Sequence, residues 1–329
     1  MAPLFSALIF VHAIGVPVFC ASNFGYEDMP DILSPDRWAN EYKECAGKYQ
    51  SPIDIEEKYV TRVSLPPLHF SGTSDLPYTS TLTNNGHTVM LEINGTEPIM
   101  VSGGPLKETY TFQQLHFHWG ADDSSGSEDM INNHSFPMEL HMVFFKSAYQ
   151  TFEKSLHHKD GLTVVSLFFE ISTRDNKAYS ELVDSLKMII LPNQQVELPY
   201  LLPLDFFLPK NKQNYFTYNG SLTTPPCLEV VTWIQFKHPV LLSHNQLDSF
   251  RKLQSETGYL THNARPLQPL HGRQVLYNTA DLKSHASQRY PQIDVILLPA
   301  VLPRLNFNSR FYILKSTSRI TELVNTFFF

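Results

Sequence analysis

The stretch QLHFHWG, residues 114–120, sets two histidines around one phenylalanine. In an extended strand successive side chains point to opposite faces, so Gln114, His116 and His118 share one face and Leu115, Phe117 and Trp119 the other. Two imidazoles then converge on one point. A third histidine lies in MELHMVFF, where Glu139, His141 and Val143 share a strand face. If the two strands are neighbours, three neutral imidazole nitrogens meet at one centre, which is the ligand count of a catalytic zinc with its fourth position open. Zn2+ is the expected cofactor; three imidazoles also accept other divalent ions, and availability decides among them. A ligating imidazole is held in one tautomer by a hydrogen bond to its second nitrogen. Gln114 and Glu139 each stand two residues before a histidine on the same face and fit that task. The plainer alternative is a half-buried strand with two hydrogen-bonded histidines. It would turn these polar groups inward without partners, at a cost of about 1–3 kcal/mol each.

The elements that must position these residues are short runs rich in β-branched and aromatic residues: TSTLTNNGHTVMLEI, TYTFQQLHFHWG, MELHMVFFK, GLTVVSLFFEI and LEVVTWIQF. Each alternates or is continuously apolar over strand length, with Gly, Pro, Asn and Asp in the gaps. Helical periodicity is limited to AYSELVDSLKMII and SHNQLDSFRKLQ, whose apolar stripes would cover one edge of a sheet. The expected fold class is α+β and sheet-dominated: a large, mostly antiparallel, twisted central sheet with peripheral short helices.

The chain of 329 residues is 42% hydrophobic and 17% charged, ordinary for a globular protein with a substantial core. Its net charge of -7 carries no basic concentration in the main body, so nucleic acid is not an expected partner. Residues 1–22 are nearly free of charge, apolar through residues 9–18 and small at residues 20–22, the pattern of a signal peptide cleaved on secretion. The segment lacks the basic n-region of such signals, and Pro17 disfavours a permanent membrane helix. Its removal leaves Cys45 and Cys227. An even pair in an oxidising compartment reads as one disulfide, with two unpaired buried thiols as the alternative. Sequons at Asn94, Asn133 and Asn219 fit a secreted glycoprotein.

The composition shifts near Asn278. Residues 278–329 form a C-terminal extension whose longest apolar run contains Pro299 and falls well short of the roughly 20 residues that span a bilayer. A lipid-anchor tail would be interrupted by Thr321, Glu322, Asn325 and Thr326. From Asp281 onward six Lys or Arg stand against three Asp or Glu, so the tail is mildly basic.

The stretches QSPIDI, NNGHTV, GGPL, QLHFHWG, GSE, MELHMV, GSLTTPPCLEVVTW and NARPLQPL resemble, in order and at family-like spacing, an α-class carbonic anhydrase of secreted type. The resemblance covers about residues 24–277 and implies a catalytic domain over 23–277. It implies that His116, His118 and His141 are the zinc ligands and that Gln114, Glu139 and the backbone carbonyl of Asn263 orient them. Thr223 matches the residue that hydrogen-bonds zinc-bound hydroxide and relays to Glu128, and Thr224 lies beside it to hold solvent or bicarbonate. Val143, Val164, Leu222, Val231 and Trp233 match the apolar wall that receives carbon dioxide. His87 matches the proton shuttle, with Tyr26, Asn84 and Asn85 along its water path. An imidazole with an ordinary pKa near 6.5 carries protons in either direction at physiological pH. Cys45 and Cys227 match the cysteine pair of secreted members.

The implied reaction is reversible hydration of carbon dioxide to bicarbonate and a proton, a step in pH regulation, with weak hydrolysis of activated esters and inhibition by sulfonamides and anions. A monomer is the simplest expectation, with a dimer left open. Three positions depart from the family's usual residues: Asp129 stands where His or Asn is usual, Met90 where many members are polar, and Phe24 where they carry Trp. These expect altered support beneath Glu128, an altered pocket rim and altered N-terminal packing. Two rival readings are a binding module that has lost catalysis and a matrix- or mineral-associated protein whose extension makes the contact. The first sits poorly with three retained histidines together with Thr223 and Glu128.

Overall fold

The computed structural model describes residues 24–279 except position 28. The signal segment over residues 1–22 and nearly all of the 278–329 extension lie outside the described residues. Among those described, twelve strands make one sheet. Its path runs from the edge strand Gln194–Glu197 through Thr79–Asn84, Val89–Asn94, Tyr110–Trp119, Met138–Lys146, Leu162–Ser172, Val231–Ser243, Tyr215–Gly220 and Leu276–Asn278 to Thr61–Val63. Most pairings are antiparallel, while Leu162–Ser172 with Val231–Ser243 and Leu276–Asn278 with Thr61–Val63 are parallel. The sheet-dominated α+β expectation holds. The strand that closes the described chain includes Asn278, which accepts from the backbone of Leu65 and donates to the Gln213 carbonyl.

The strand Tyr110–Trp119 has a bulge between Phe112 and Gln114. An extra residue there inverts the alternation. It lets Tyr110 and Phe112 face the same core as Leu115, Phe117 and Trp119, although their sequence parity differs. The double glutamine is the sequence mark of that shift. The core on this face is thick with aromatic rings, each contributing roughly 1.5–3 kcal/mol on burial. The helix Ser180–Ser185 and the longer His244–Phe250 cover it through Leu182, Leu247 and Phe250. Ser243 and Gln246 close a capping box at the start of the second. No helix among the described residues is long and apolar enough to cross a membrane. The opposite face carries a second core around Val143, Val164, Phe168, Tyr218 and Trp233, and the histidines open onto it.

Candidate metal centre

Register brings the three histidines together. In the antiparallel ladder His116 lies opposite His141 and His118 opposite Glu139, so all four side chains stand on one face. One ring nitrogen from each of His116, His118 and His141 falls within 4.8 Å of the other two. Each remaining nitrogen has a partner. His116 Nδ1 lies 2.9 Å from Gln114 Oε1, His118 Nδ1 2.8 Å from the Asn263 carbonyl oxygen, and His141 Nε2 2.9 Å from Glu139 Oε1. These contacts leave His116 Nε2, His118 Nε2 and His141 Nδ1 for the centre.

The site fits a cation. Burial, followed by the charge of its histidine neighbours, holds His116 and His141 well below the usual imidazole pKa, so both present lone pairs at neutral pH. His118 Nε2 is buried with no hydrogen-bond partner among the described residues. A buried polar atom left in that state is costly unless something outside the protein occupies it.

Around the ligands the carboxylates are fully buried. Glu139 accepts from the backbone N–H groups of Glu128 and Asp129 at 2.9 and 3.0 Å while its other oxygen meets His141. Burial, then the charges of Asp129 and Glu128, push its pKa well above the usual range. Nearby positive charge is what such a cluster requires. Glu128 Oε1 accepts from the backbone N–H of Arg265 at 2.9 Å. Its other oxygen has no hydrogen-bond partner among the described residues; burial raises the Glu128 pKa, and the Thr223 hydroxyl is one of the groups that oppose that rise. Thr223 is itself buried and Thr224 half-buried beside it.

The apolar wall is built across three strands. Val164 lies opposite Val143 on one side and Trp233 on the other, and the Trp233 ring meets His141 edge-on at 4.8 Å. Val231 and Leu222 extend this patch. Met90 lies opposite His116 on the neighbouring strand, at the margin of the ligand face.

His87 sits on the loop after Thr79–Asn84, where Gly86 takes φ +84° and Asn85 Oδ1 accepts from the backbone of His87 and Thr88. Its ring stacks on Phe24 at 4.0 Å and 9°. It opens into a cleft of about 120 Å³ that Tyr26 and Asn85 also line. Burial lowers the His87 pKa. Asn84 does not line that cleft. It is fully buried, donating to the carbonyls of Ile189, Ile190 and Gln254 and accepting from the Gly86 N–H. With every polar atom engaged it braces the hairpin, a correction to its expected place on the water path.

Cys45 and Cys227 form a disulfide across 182 residues of chain. The Cys227 N–H bonds the Thr224 carbonyl, so the bridge anchors the loop that carries Thr223. Asp129 departs from the family pattern without losing partners: Oδ1 accepts from the Ile53 N–H at 2.8 Å and the Tyr218 hydroxyl at 3.0 Å.

Two residues emerge that the sequence reading left without these roles. The Asn263 side chain accepts from the Trp119 N–H and donates to the carbonyls of Phe117 and His87, so one residue clamps the strand of His116 and His118 and the loop of His87. Arg265 is buried and donates to Gln50 Oε1 and to the carbonyls of Ser51 and Cys45. Both lie in NARPLQPL, where a charged residue amid apolar ones was the available signal.

A sheet face that groups three imidazoles where a metal could bind, beside an apolar wall, is the site geometry of a metalloenzyme. Its particular kind follows from the sequence as a whole, since residues 33–279 match the model of the eukaryotic-type carbonic anhydrases, and the chain belongs to that family. It is 37% identical over 249 residues to carbonic anhydrase 7 of Mus musculus, covering 73% of this chain and 92% of that protein. It is 36% identical over 267 residues to carbonic anhydrase 6 of Canis lupus familiaris, covering 78% and 81%. To carbonic anhydrase 3 of Bos taurus it is 33% identical over 262 residues, covering 78% and 98%. The enzyme is a carbonic anhydrase.

Proposed function

We propose that this chain is a secreted, zinc-dependent carbonic anhydrase in which His116, His118 and His141 hold the metal and His87 exports the proton. The observation that carries the reading is the buried, unpartnered His118 Nε2, grouped within 4.8 Å with one ring nitrogen each of His116 and His141. Bound there, zinc supplies a nucleophile at neutral pH by lowering the pKa of a coordinated water to about 7, a figure that is carbonic anhydrase's own.

The rest of the chemistry belongs to the chain. The Thr223 hydroxyl donates to Glu128 and accepts from the attacking oxygen, which fixes the direction of that oxygen's lone pair. Val143, Val164, Leu222, Val231 and Trp233 hold carbon dioxide by apolar contact alone, and Thr224 holds the bicarbonate product. Gln114, Glu139 and the Asn263 carbonyl keep each ligand in the tautomer that offers its other nitrogen. His87 takes the released proton through water and turns it out to solvent past Tyr26 and Asn85.

Secretion draws support from the disulfide and from the exposure of Asn94, Asn133 and Asn219, the side chains to which a glycan would attach. Metal analysis of the purified secreted chain tests the assignment. One zinc per chain, lost in His118→Ala, supports it; full zinc in that variant would refute it.

A further inference from the structure

His87 is poorly placed to meet a buffer molecule directly. His87 is half-buried, with Phe24 stacked on one face of its ring, inside a cleft of about 120 Å³. At the rim of the same cleft stands His262, 38% exposed, with its Nδ1 3.5 Å from Glu27 Oε1. Glu256 stands there too, tied to Asn193 at 3.1 Å. The two histidines share a support: Asn263, next to His262, donates its side-chain N–H to the His87 carbonyl at 3.0 Å.

We propose that His262, backed by Glu27, is the outer station of the proton path, receiving through water the proton that His87 carries out and releasing it to bases in solvent. This rests on the reading of His87 as the shuttle. In the step, an N–H of the His87 imidazolium breaks, the proton crosses water in the cleft, and an N–H forms on His262. A buffer base then removes it, so both imidazoles return to neutral and no electrons are exchanged. The Glu27 carboxylate stabilises the transient His262 imidazolium by a charge-assisted contact. His262 stands at the rim with its side chain 38% exposed, where bases in solvent reach it, while Phe24 shields one face of the half-buried His87.

Oxygen-18 exchange between carbon dioxide and water tests this, because it reports the interconversion of carbon dioxide and bicarbonate separately from proton delivery. The variants are His262→Ala, His262→Gln, which keeps a polar contact with Glu27 but cannot carry a proton, His87→Ala and the His87→Ala/His262→Ala double. In dilute, bulky buffer we expect both His262 variants to slow proton delivery by roughly threefold or more, a small part of the 10²–10⁴ that positioned acid–base groups supply. Interconversion should hold its rate, imidazole buffer should restore delivery, and the double variant should be no slower than His87→Ala. Wild-type delivery in the His262 variants, alongside slowed His87→Ala, would overturn this inference and leave the His87 reading standing. Wild-type delivery in His87→Ala would instead overturn the shuttle assignment and the inference with it.

Discussion

At the scale of single residues, function depends on which nitrogen each histidine keeps for the metal. Glu139 settles this for His141, and it also gathers the N–H groups of Glu128 and Asp129. We expect Glu139→Ala to lower metal affinity by about 10- to 100-fold, measured by competition with a chelator. His87 acts in a different step. Its replacement by alanine should slow turnover in dilute buffer by about tenfold or more, with imidazole restoring it and kcat/KM unchanged. Because burial lowers the His87 pKa, the acid limb of kcat in weak buffer should have its midpoint below the usual imidazole value. A midpoint at or above 6.5 would contradict that assignment. The grouping of the three histidines with Gln114 and Glu139 was legible in the sequence because two-residue spacing on a strand fixes a common face. The side-chain clamp of Asn263 was not, since it lies 144 residues from Trp119 in the chain and only tertiary contact joins them.

At the scale of elements, the strand pattern was largely legible. The runs read as strands from alternation coincide with Tyr110–Trp119, Met138–Lys146 and Leu162–Ser172. What alternation could not supply was the bulge that changes parity between Phe112 and Gln114, because inserting one residue is a property of the paired strands. Asn84 failed for a related reason: an asparagine at a hairpin end reads as solvent-facing until three carbonyls from distant segments close around it. The short link between Glu128 and Met130 carries its own prediction. Burial raises the Asp129 pKa to about 7. A carboxyl whose folded pKa exceeds its unfolded value, near 3.9, stabilises the fold below that value and loses this contribution as pH rises through about 7. Thermal unfolding of the wild type should therefore lose more stability between pH 4.5 and 7.5, roughly the span of the two pKa values, than that of Asp129→Asn. Equal pH dependence in the two proteins would refute this role for Asp129.

At the scale of the whole molecule, the disulfide, the buried Arg265 and Asn263 tie segments far apart in the chain to one another and to the histidine-bearing strands. Cys45 and Arg265 meet through the Cys45 carbonyl, and Arg265 in turn supports Glu128 through its backbone. Breaking the bridge with Cys45→Ser and Cys227→Ser should cost roughly 2–4 kcal/mol, or about 5–15 °C in Tm. Activity should fall before global unfolding, because the loop bearing Thr223 is anchored by Cys227. A matching prediction concerns export. If the chain is exported as proposed, enzymatic removal of N-glycans should lower its mass, and Asn→Gln at each sequon should identify which of Asn94, Asn133 and Asn219 carry them. An unchanged mass would count against glycosylation.

A three-histidine metal site that hydrates carbon dioxide is the core of the proposed function. Stopped-flow measurement of carbon dioxide hydration on the purified chain, after chelation, and after zinc is returned, tests it. We expect rapid turnover that chelation abolishes and zinc restores. Absence of turnover with one zinc bound per chain, or turnover indifferent to chelation, would contradict it.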